Sequence, residues 1–168
     1  MSLAFSRLVV DEEVELKGPI GEFVWKGENL VCIHGQERKV REIGLVCGGS
    51  GVTPILQVAR GILEDSSTTR ETKVWILDSN RKEEDILCRE ELDLLVKEHG
   101  DRCKIHYTLT GKSIPEEWEY STGRVNQEMV SRHLPSPGSG NMIGICGPRS
   151  MEQEVKGMGV ANELESGH

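Results

Sequence analysis

The chain has 168 residues, of which 36% are hydrophobic and 29% are charged, so it is long enough to form a globular domain with a buried core. Its net charge of −8, and the lack of both a Lys/Arg block and an apolar run of roughly 18 residues, argue against nucleic-acid and membrane partners. The five cysteines are odd in number and include no CxxC pair, which predicts reduced thiols in a cytoplasmic protein and no metal site.

The first forty residues contain short β-prone runs and no segment with helical periodicity. Turn-forming Asp-Glu, Lys-Gly-Pro and Lys-Gly-Glu-Asn stretches separate the runs, which are Val9–Val10, Val14–Leu16, Phe23–Trp25 and Leu30–His34. So few short strands cannot bury a core of their own. We therefore expect residues 1–40 to be the end of a β domain and a linker, followed by a second domain over residues 41–168.

The segment from Ile43 to Leu63 predicts a strand, a glycine turn and a helix in direct succession. An apolar run ends at Cys47, Gly48–Gly51 form the turn, and Thr53 with Pro54 provides a helix N-cap and first turn. A helix N-terminus after such a turn favours an anionic ligand. The motif is neither GxGxxG nor a P-loop, so a connection that is glycine-rich for its turn geometry alone remains the alternative.

Strands and helices alternate along the rest of the chain. The pattern predicts a strand at Val74–Leu77, a helix with Glu83, Glu84 and Asp85 in its first turn, a strand at Cys103–Leu109, a helix from Asn126 through Leu134, a strand at Met142–Cys146 and a short helix from Met151. Together with the first unit, this alternation predicts an α/β fold with a doubly wound, mostly parallel sheet. Ligands of such sheets bind at the carboxyl ends of the strands, which here are Cys47–Thr53, Asp78–Lys82, Thr110–Lys112 and Cys146–Met151.

These strand-end motifs resemble those of the ferredoxin–NADP reductase superfamily, in the branch of the cytochrome b5 reductases and eukaryotic nitrate reductases. The matching segments are VELKGPIGEFVW (14–25), CGGSGVTPILQVARGIL (47–63), DSNRKEEDILCREEL (78–92), TGRVNQEMVSRHLP (122–135) and CGPRSM (146–151). They cover nearly the whole chain in the order of that family, and their wording is most similar to the C-terminal reductase part of fungal assimilatory nitrate reductases. The resemblance implies a nucleotide-binding domain preceded by a β-rich remnant of an FAD-binding barrel.

The resemblance also implies site residues. Cys146 and Thr53 would border the nicotinamide at the point of hydride transfer, and Asn80 with Arg81 would lie at the adenosine ribose. The remaining residues implied for cofactor binding or for the domain seam are Lys17, Gly48, Gly49, Ser50, Gly51, Pro54, Thr110, Gly147, Pro148 and, near the adenine, Met151.

Thr110 bears on the choice of coenzyme. NADH-preferring reductases of this type tend to carry an acidic residue there, which would repel a 2′-phosphate. Thr110 removes that repulsion, so we expect NADPH to be preferred over NADH. The candidate phosphate partners are Arg81, Lys82, Lys112 and Arg124.

The function implied by the resemblance is transfer of a hydride from NADPH or NADH to FAD. Electrons would then pass to haem and to a molybdenum cofactor that reduces nitrate to nitrite. The FAD-binding domain of the same polypeptide and the haem domain would be partners, and a homodimer is one expected assembly of the full-length protein. Because the FAD barrel is missing, we expect the isolated chain to bind FAD weakly and to have little activity. The alternatives are a cytochrome b5 reductase-like module with another acceptor, and a non-catalytic nucleotide-binding module.

Overall fold

The computed structural model describes residues 6–15, 17, 21–66 and 71–158. Three short strands come first: β1 (Phe23–Gly27), β2 (Leu30–Ile33) and β3 (Gln36–Lys39). The alternating part follows, with β4 (Glu42–Gly48), α1 (Val52–Leu63), β5 (Lys73–Asn80), α2 (Arg89–His99), β6 (Cys103–Leu109), β7 (Ser121–Thr122), α3 (Gln127–His133), β8 (Asn141–Cys146) and α4 (Arg149–Gly157).

The central sheet has five parallel strands in the order β7-β6-β5-β4-β8. One core cluster packs α1 and α2 against one face of this sheet, and a second cluster packs α3 and α4 against the other face. β4 lies at the centre, and its residues from Ile43 to Gly48 are all buried, as expected for a strand that is covered on both faces. The predicted doubly wound α/β fold is therefore confirmed, and β7 adds a short edge strand that the sequence pattern did not predict.

The N-terminal strands form an antiparallel sheet in the order β1-β2-β3. Val31 and Ile33 are 0% and 4% exposed and belong to the same core cluster as β4 and α1. The Trp25 indole Nε1–H also donates to Asp65 Oδ2, at 2.9 Å, just beyond the end of α1. The β-rich segment thus shares a core with the larger sheet.

Among the described residues, the segments predicted as the first two strands are not assigned to any strand. Val9, Val10 and Val14 are exposed and lie outside any described strand, while Leu16 falls outside the described residues. β3 was not predicted because its residues, Gln36–Lys39, are all polar and exposed, so their side chains carry no hydrophobic signal.

The starts of two helices differ from the prediction. α1 begins at Val52 with Gly51 as its N-cap, so Thr53 and Pro54 lie inside the first turn, after a 3-10 turn at Gly49–Gly51. α2 begins at Arg89 rather than near the acidic residues, which form a separate 3-10 turn at Glu83–Asp85. The helix cannot start earlier because Ile86 is extended and Cys88 has a φ of 55°, in the left-handed region.

A helix that is both long and apolar enough to cross a membrane is not found among the described residues.

Candidate functional site

The direction of strand addition reverses between β4 and β8. From β4 the chain adds β5, β6 and β7 on one side of the sheet, and β8 then pairs with β4 on the other side. Such a reversal opens a crevice at the carboxyl ends of the two strands, where open α/β sheets bind their ligands. Cys47 and Cys146 are register partners at this point, so the structure brings the two Cys-Gly strand ends together.

Three glycines allow these strand ends to approach closely. A Cβ at Gly51 would lie 2.1 Å from the carbonyl oxygen of Cys146, and a Cβ at Gly147 would lie 2.5 Å from Met151 Cε. A Cβ at Gly48 would lie 3.2 Å from Met151 Sδ. The close approach of β4, β8 and the turn after β4 therefore requires glycine, which has no Cβ, at these three positions.

The outer side of the same turn is open to solvent. Gly49 and Ser50 are exposed, and a Cβ at Gly49, whose φ is +55°, would meet nothing within 4 Å. Thr53 and Pro54 are exposed as well, and Thr53 Oγ1 donates to the Ser50 carbonyl oxygen at 3.0 Å. Because α1 has no side-chain cap and no acidic residue in its first turn, its N–H groups and dipole favour an anion at this position.

Cys146 is a partly buried residue at the inner end of the crevice. Burial and the nearby Glu152 raise the pKa of its thiol above the usual value, so the thiol is neutral at pH 7. A neutral thiol is a poor nucleophile, and Cys146 is therefore suited to packing against a ligand rather than to bonding with it covalently. Pro148 follows as the exposed N-cap of α4, and Met151 is buried in the cluster beneath α3 and α4.

A second group of predicted residues meets at the ends of β5 and β6. The Thr110 N–H and Oγ1–H donate to the carbonyl oxygen of Asn80 at 2.8 and 3.2 Å, and the Gly111 N–H donates to the carbonyl oxygen of Arg81 at 2.8 Å. A Cβ at Gly111 would lie 2.3 Å from that Arg81 oxygen. These contacts hold the two strand-end turns together as one surface.

Of the four basic residues predicted near this surface, two form described ion pairs and two do not. Lys82 Nζ lies 2.8 Å from Glu84, and Arg124 NH1 lies 3.1 Å from Glu154. Arg81 and Lys112 are exposed and have no described ion pair. A cavity of about 510 Å³ adjoins the turns, lined by Lys82, Glu83, Glu84, Ser113, Ile114 and Pro115.

Asp78 makes hydrogen bonds beneath the turn that were not predicted from the sequence. Asp78 is 1% exposed; its Oδ1 accepts from Cys47 Sγ at 3.3 Å and its Oδ2 accepts from Asn80 Nδ2 at 2.9 Å. Burial raises the pKa of this carboxyl to about 6, while the hydrogen bonds from Cys47, Asn80 and the Ser79 backbone act to lower it. Burial, followed by the neighbouring Asp78, raises the pKa of the Cys47 thiol well above its usual value. An acid directly after the apolar run Val74–Leu77 was the available signal.

The last predicted site residue, Lys17, is exposed and belongs to no described strand or helix. Within the described ranges, no group of three or more His, Cys, Asp or Glu side chains is arranged to hold a metal ion.

The parallel sheet with its glycine-lined crevice at the switch point defines an α/β domain of the dinucleotide-binding class. The chain belongs to the family described as the oxidoreductase NAD-binding domain, whose model matches residues 45–157. It is 41% identical over 158 residues to the nitrate reductase [NADPH] of Leptosphaeria maculans, covering 94% of this chain and 17% of that protein. It is 38% identical over 159 residues to NADH-cytochrome b5 reductase 3 of Rattus norvegicus, covering 91% of this chain and 52% of that protein.

A solved structure shows the same relationship. The cytochrome b5 reductase domain of Ulva prolifera nitrate reductase matches with a TM-score of 0.86 and 34% identity, over 97% of this chain and 63% of that one. These findings confirm the predicted resemblance to the cytochrome b5 reductase and nitrate reductase branch. The chain spans only about a sixth of the fungal nitrate reductases that it matches.

Proposed function

We propose that this chain is the NAD(P)H-binding part of a nitrate reductase, which delivers a hydride from NADPH or NADH to FAD. The observation that carries the proposal is the close, glycine-dependent apposition of the β4 and β8 ends at the switch point. A dinucleotide fits this site because the outer side of the turn at Gly49 is open and the N-terminus of α1 favours an anion. When bound, the nicotinamide supplies the hydride and FAD accepts it.

The protein would bind and orient the nucleotide. The backbone N–H groups of Gly48, Gly49, Ser50 and Gly51 would receive the pyrophosphate, and Pro54, which has no N–H, would lie beside it in the first turn of α1. Thr53 and Cys146 would border the nicotinamide, with Gly147 and Pro148 beside them. Cys146 would act there as a neutral, polarisable contact and not as a base or nucleophile.

The other end of the nucleotide would lie on the two turns that follow β5 and β6, which are hydrogen-bonded to each other. Asn80, Arg81 and Thr110 would surround the adenosine ribose, with the neighbouring cavity available to the adenosine end. Met151 remains the candidate for the adenine end, although it packs against Gly48 and Gly147. Lys17 remains the candidate residue at the seam with the FAD-binding domain.

The partners that we propose are domains of the same polypeptide. FAD would be held by a preceding β-barrel domain, with residues 1–40 as its end and the linker to the second domain, and haem and molybdenum cofactor would be held by further domains. The full-length protein would work in the cytoplasm, with a homodimer as its proposed assembly. The isolated chain would bind FAD weakly and have little activity. A cytochrome b5 reductase-like function is the second candidate, because the chain also resembles the rat enzyme at 38% identity.

We further propose that NADPH is the preferred coenzyme. Thr110 brings no negative charge to the ribose position, and Arg124 lies nearby because the Gly123 N–H donates to the Leu109 carbonyl oxygen at 2.8 Å. The Arg124–Glu154 ion pair is exposed, with 76% and 40% of the two side chains accessible, so an incoming phosphate can displace Glu154 at little cost. Exposed Arg81 and Lys112 would add positive charge.

The test is a titration of the chain with NADPH and NADH. We expect NADPH to bind more tightly than NADH. Thr110→Asp, which adds a repulsive carboxylate, and Arg124→Gln, which removes a charge-assisted contact, should each weaken NADPH binding by about tenfold, with little change for NADH. Arg132→Gln is the matched control, because Arg132 is an exposed, ion-paired arginine on α3 away from this turn. Comparable affinities for the two coenzymes would refute the NADPH preference, and no binding of either would refute the function.

The hydride-transfer role is tested with a version that includes the FAD-binding domain. NADPH-dependent reduction of ferricyanide would support the hydride-transfer role, and its absence from a flavin-loaded protein would favour a non-catalytic nucleotide-binding module.

A further inference from the structure

Across one face of the sheet, at its carboxyl edge, four polar or titratable residues stand in register. Tyr107 on β6 is paired with Asp78 on β5, Asp78 with Cys47 on β4, and Cys47 with Cys146 on β8. The row joins the Thr110 side of the site to the Cys146 side. Asp78 supplies the carboxyl of this row and is 1% exposed, and the proposed hydride transfer does not use it.

A carboxylate at this position works against the rest of the site. The glycine turn and the α1 N-terminus above it favour an anionic ligand, whereas an ionised Asp78 places a negative charge beneath them. Burying a carboxyl is also costly unless its oxygens are hydrogen-bonded. A buried carboxyl beneath an anion-binding turn is therefore unexpected unless it has a role in the site.

The hydrogen bonds of Asp78 supply one, because they reach both halves of the site. Through Oδ1 it holds the thiol of Cys47, the residue directly before the glycine turn. Through Oδ2 it holds the side-chain amide of Asn80, whose own backbone carbonyl anchors Thr110. Since Nδ2 of Asn80 is turned towards Asp78, the acceptor Oδ1 is the atom left for a hydroxyl of the ligand.

We propose that Asp78 is a positioning residue for dinucleotide binding: as a hydrogen-bond acceptor it fixes Asn80 and Cys47, and with them the spacing between the ribose half and the pyrophosphate half of the site. The inference rests on the proposed nucleotide-binding function and assigns a role within it. Asp78 acts through its two neighbours and does not itself touch the nucleotide.

This role predicts a characteristic pH dependence. Asp78 has a pKa of about 6, and its protonated form is uncharged and carries a hydrogen on one of its two oxygens. It therefore accepts less strongly from the Cys47 thiol and the Asn80 amide together than the carboxylate does. The groups around it do not titrate near that pH, because burial raises the pKa of the Cys47, Cys146 and Tyr107 groups above their usual alkaline values. On α2, Arg89 lies 5.5 Å from the Tyr107 ring and stays charged, and Asp93 accepts from the Tyr107 hydroxyl at 2.9 Å.

The experiment measures the affinity of the 168-residue chain for NAD⁺ between pH 5 and pH 8 by calorimetry. NAD⁺ is the probe because it lacks the 2′-phosphate monoester, which would itself titrate near pH 6. We expect binding to weaken by about tenfold as the pH falls through 6, the effect of losing one hydrogen bond to a charged group, and to be weak and independent of pH in Asp78→Asn. Tighter binding at acidic pH would show that Asp78 acts merely as a nearby negative charge and would overturn the proposal.

Variants of Cys47 test the second contact without changing Asp78. Cys47→Ser keeps a donor and should retain most of the affinity, whereas Cys47→Ala should lose several-fold. Cys103→Ala is the matched control, because Cys103 is also buried, at 1% exposed, but lies at the amino end of β6. In a chain that already carries Asn80→Ala and Cys47→Ala, Asp78→Asn should weaken binding no further, because both neighbours through which Asp78 acts have been removed.

The outcomes separate this inference from the function on which it rests. If neither NAD⁺ nor NADPH binds at any pH, the proposed function fails and the role of Asp78 falls with it. If the wild-type chain binds and Asp78→Asn binds equally well with the same pH profile, only the positioning role is refuted.

Discussion

At the scale of single residues, the site depends on glycines, whose lack of a side chain lets neighbouring backbone come close. Gly51 has a φ of −62°, which any residue can adopt, so its importance lies in contact and not in backbone conformation. Its missing Cβ leaves room for the carbonyl oxygen of Cys146 at the neighbouring strand end. Since the obstructing atom belongs to the backbone, no side-chain rotation can relieve the contact.

We therefore expect Gly51→Ala to destabilise the chain by roughly 1–3 kcal/mol, the usual cost of overpacking, and to weaken nucleotide binding. Urea denaturation and a nucleotide titration measure the two effects. Gly61→Ala is the matched control, because Gly61 lies in α1 and a Cβ there would meet nothing within 4 Å. That change should stabilise the chain by about 0.5–1 kcal/mol through helix propensity. Equal effects of the two substitutions would contradict the steric argument.

Asp78 gives the chain a second pH dependence, this time in its stability. The pKa of Asp78 rises from 3.8 to about 6 on folding, so the folded state binds this proton more tightly than the unfolded state. The contribution to the free energy of unfolding is complete below pH 3.8 and is lost as the pH rises through about 6, by about 3 kcal/mol in all.

Asp78→Asn removes this titration. We expect the stability of the variant relative to wild type to improve between pH 4 and pH 7.5, as measured by urea denaturation at each pH. Parallel stability profiles of the two proteins would contradict the raised pKa.

At the scale of elements, the strands of the central sheet were predictable because burial on both faces leaves a continuous apolar run. The cap of α3 was also predictable: Asn126 Oδ1 accepts from the Met129 N–H at 3.0 Å, as the sequence indicated. The prediction that Thr53 caps α1 was wrong, because a 3-10 turn precedes the helix and the helix starts at Val52. The Thr53 hydroxyl donates instead to the Ser50 carbonyl oxygen. Local sequence does not encode that tightening, because it depends on the packing of Gly51 against β8.

The cap of α3 can be tested directly. Asn126→Ala should cost about 1 kcal/mol of stability, because the Met129 N–H loses its acceptor, whereas Asn126→Asp should be nearly neutral. Thermal unfolding of the two variants measures the difference. An equal loss in both would show that the hydrogen bond contributes nothing.

At the scale of the whole molecule, the order of the motifs could be predicted from the sequence, but their pairing in space could not. The pairing of Cys47 with Cys146 depends on β8 returning to β4, and the hydrogen bond from Cys47 to Asp78 depends on the register of β4 with β5. Both are long-range pairings that no local pattern specifies. The core that the N-terminal strands share with β4 and α1 could not be predicted either, because it also depends on contacts between distant segments.

That shared core predicts a single unfolding transition. Val31→Ala, at a position that is 0% exposed, should cost about 2 kcal/mol and lower the stability measured by tryptophan fluorescence and by circular dichroism equally. Val24→Ala is the control, because Val24 lies on the same small sheet but is 43% exposed, and its effect should be small. Two separate transitions would show that the N-terminal sheet unfolds independently.

The pairing of β8 with β4 also has a consequence for synthesis. β4 is the first strand of the central sheet to leave the ribosome and β8 is the last, with most of the described chain between them. Contacts between distant segments form slowly because a long loop must close first. The crevice therefore does not exist in a nascent chain until residues 141–157 have emerged, so acquisition of nucleotide affinity would report that β8 has paired with β4.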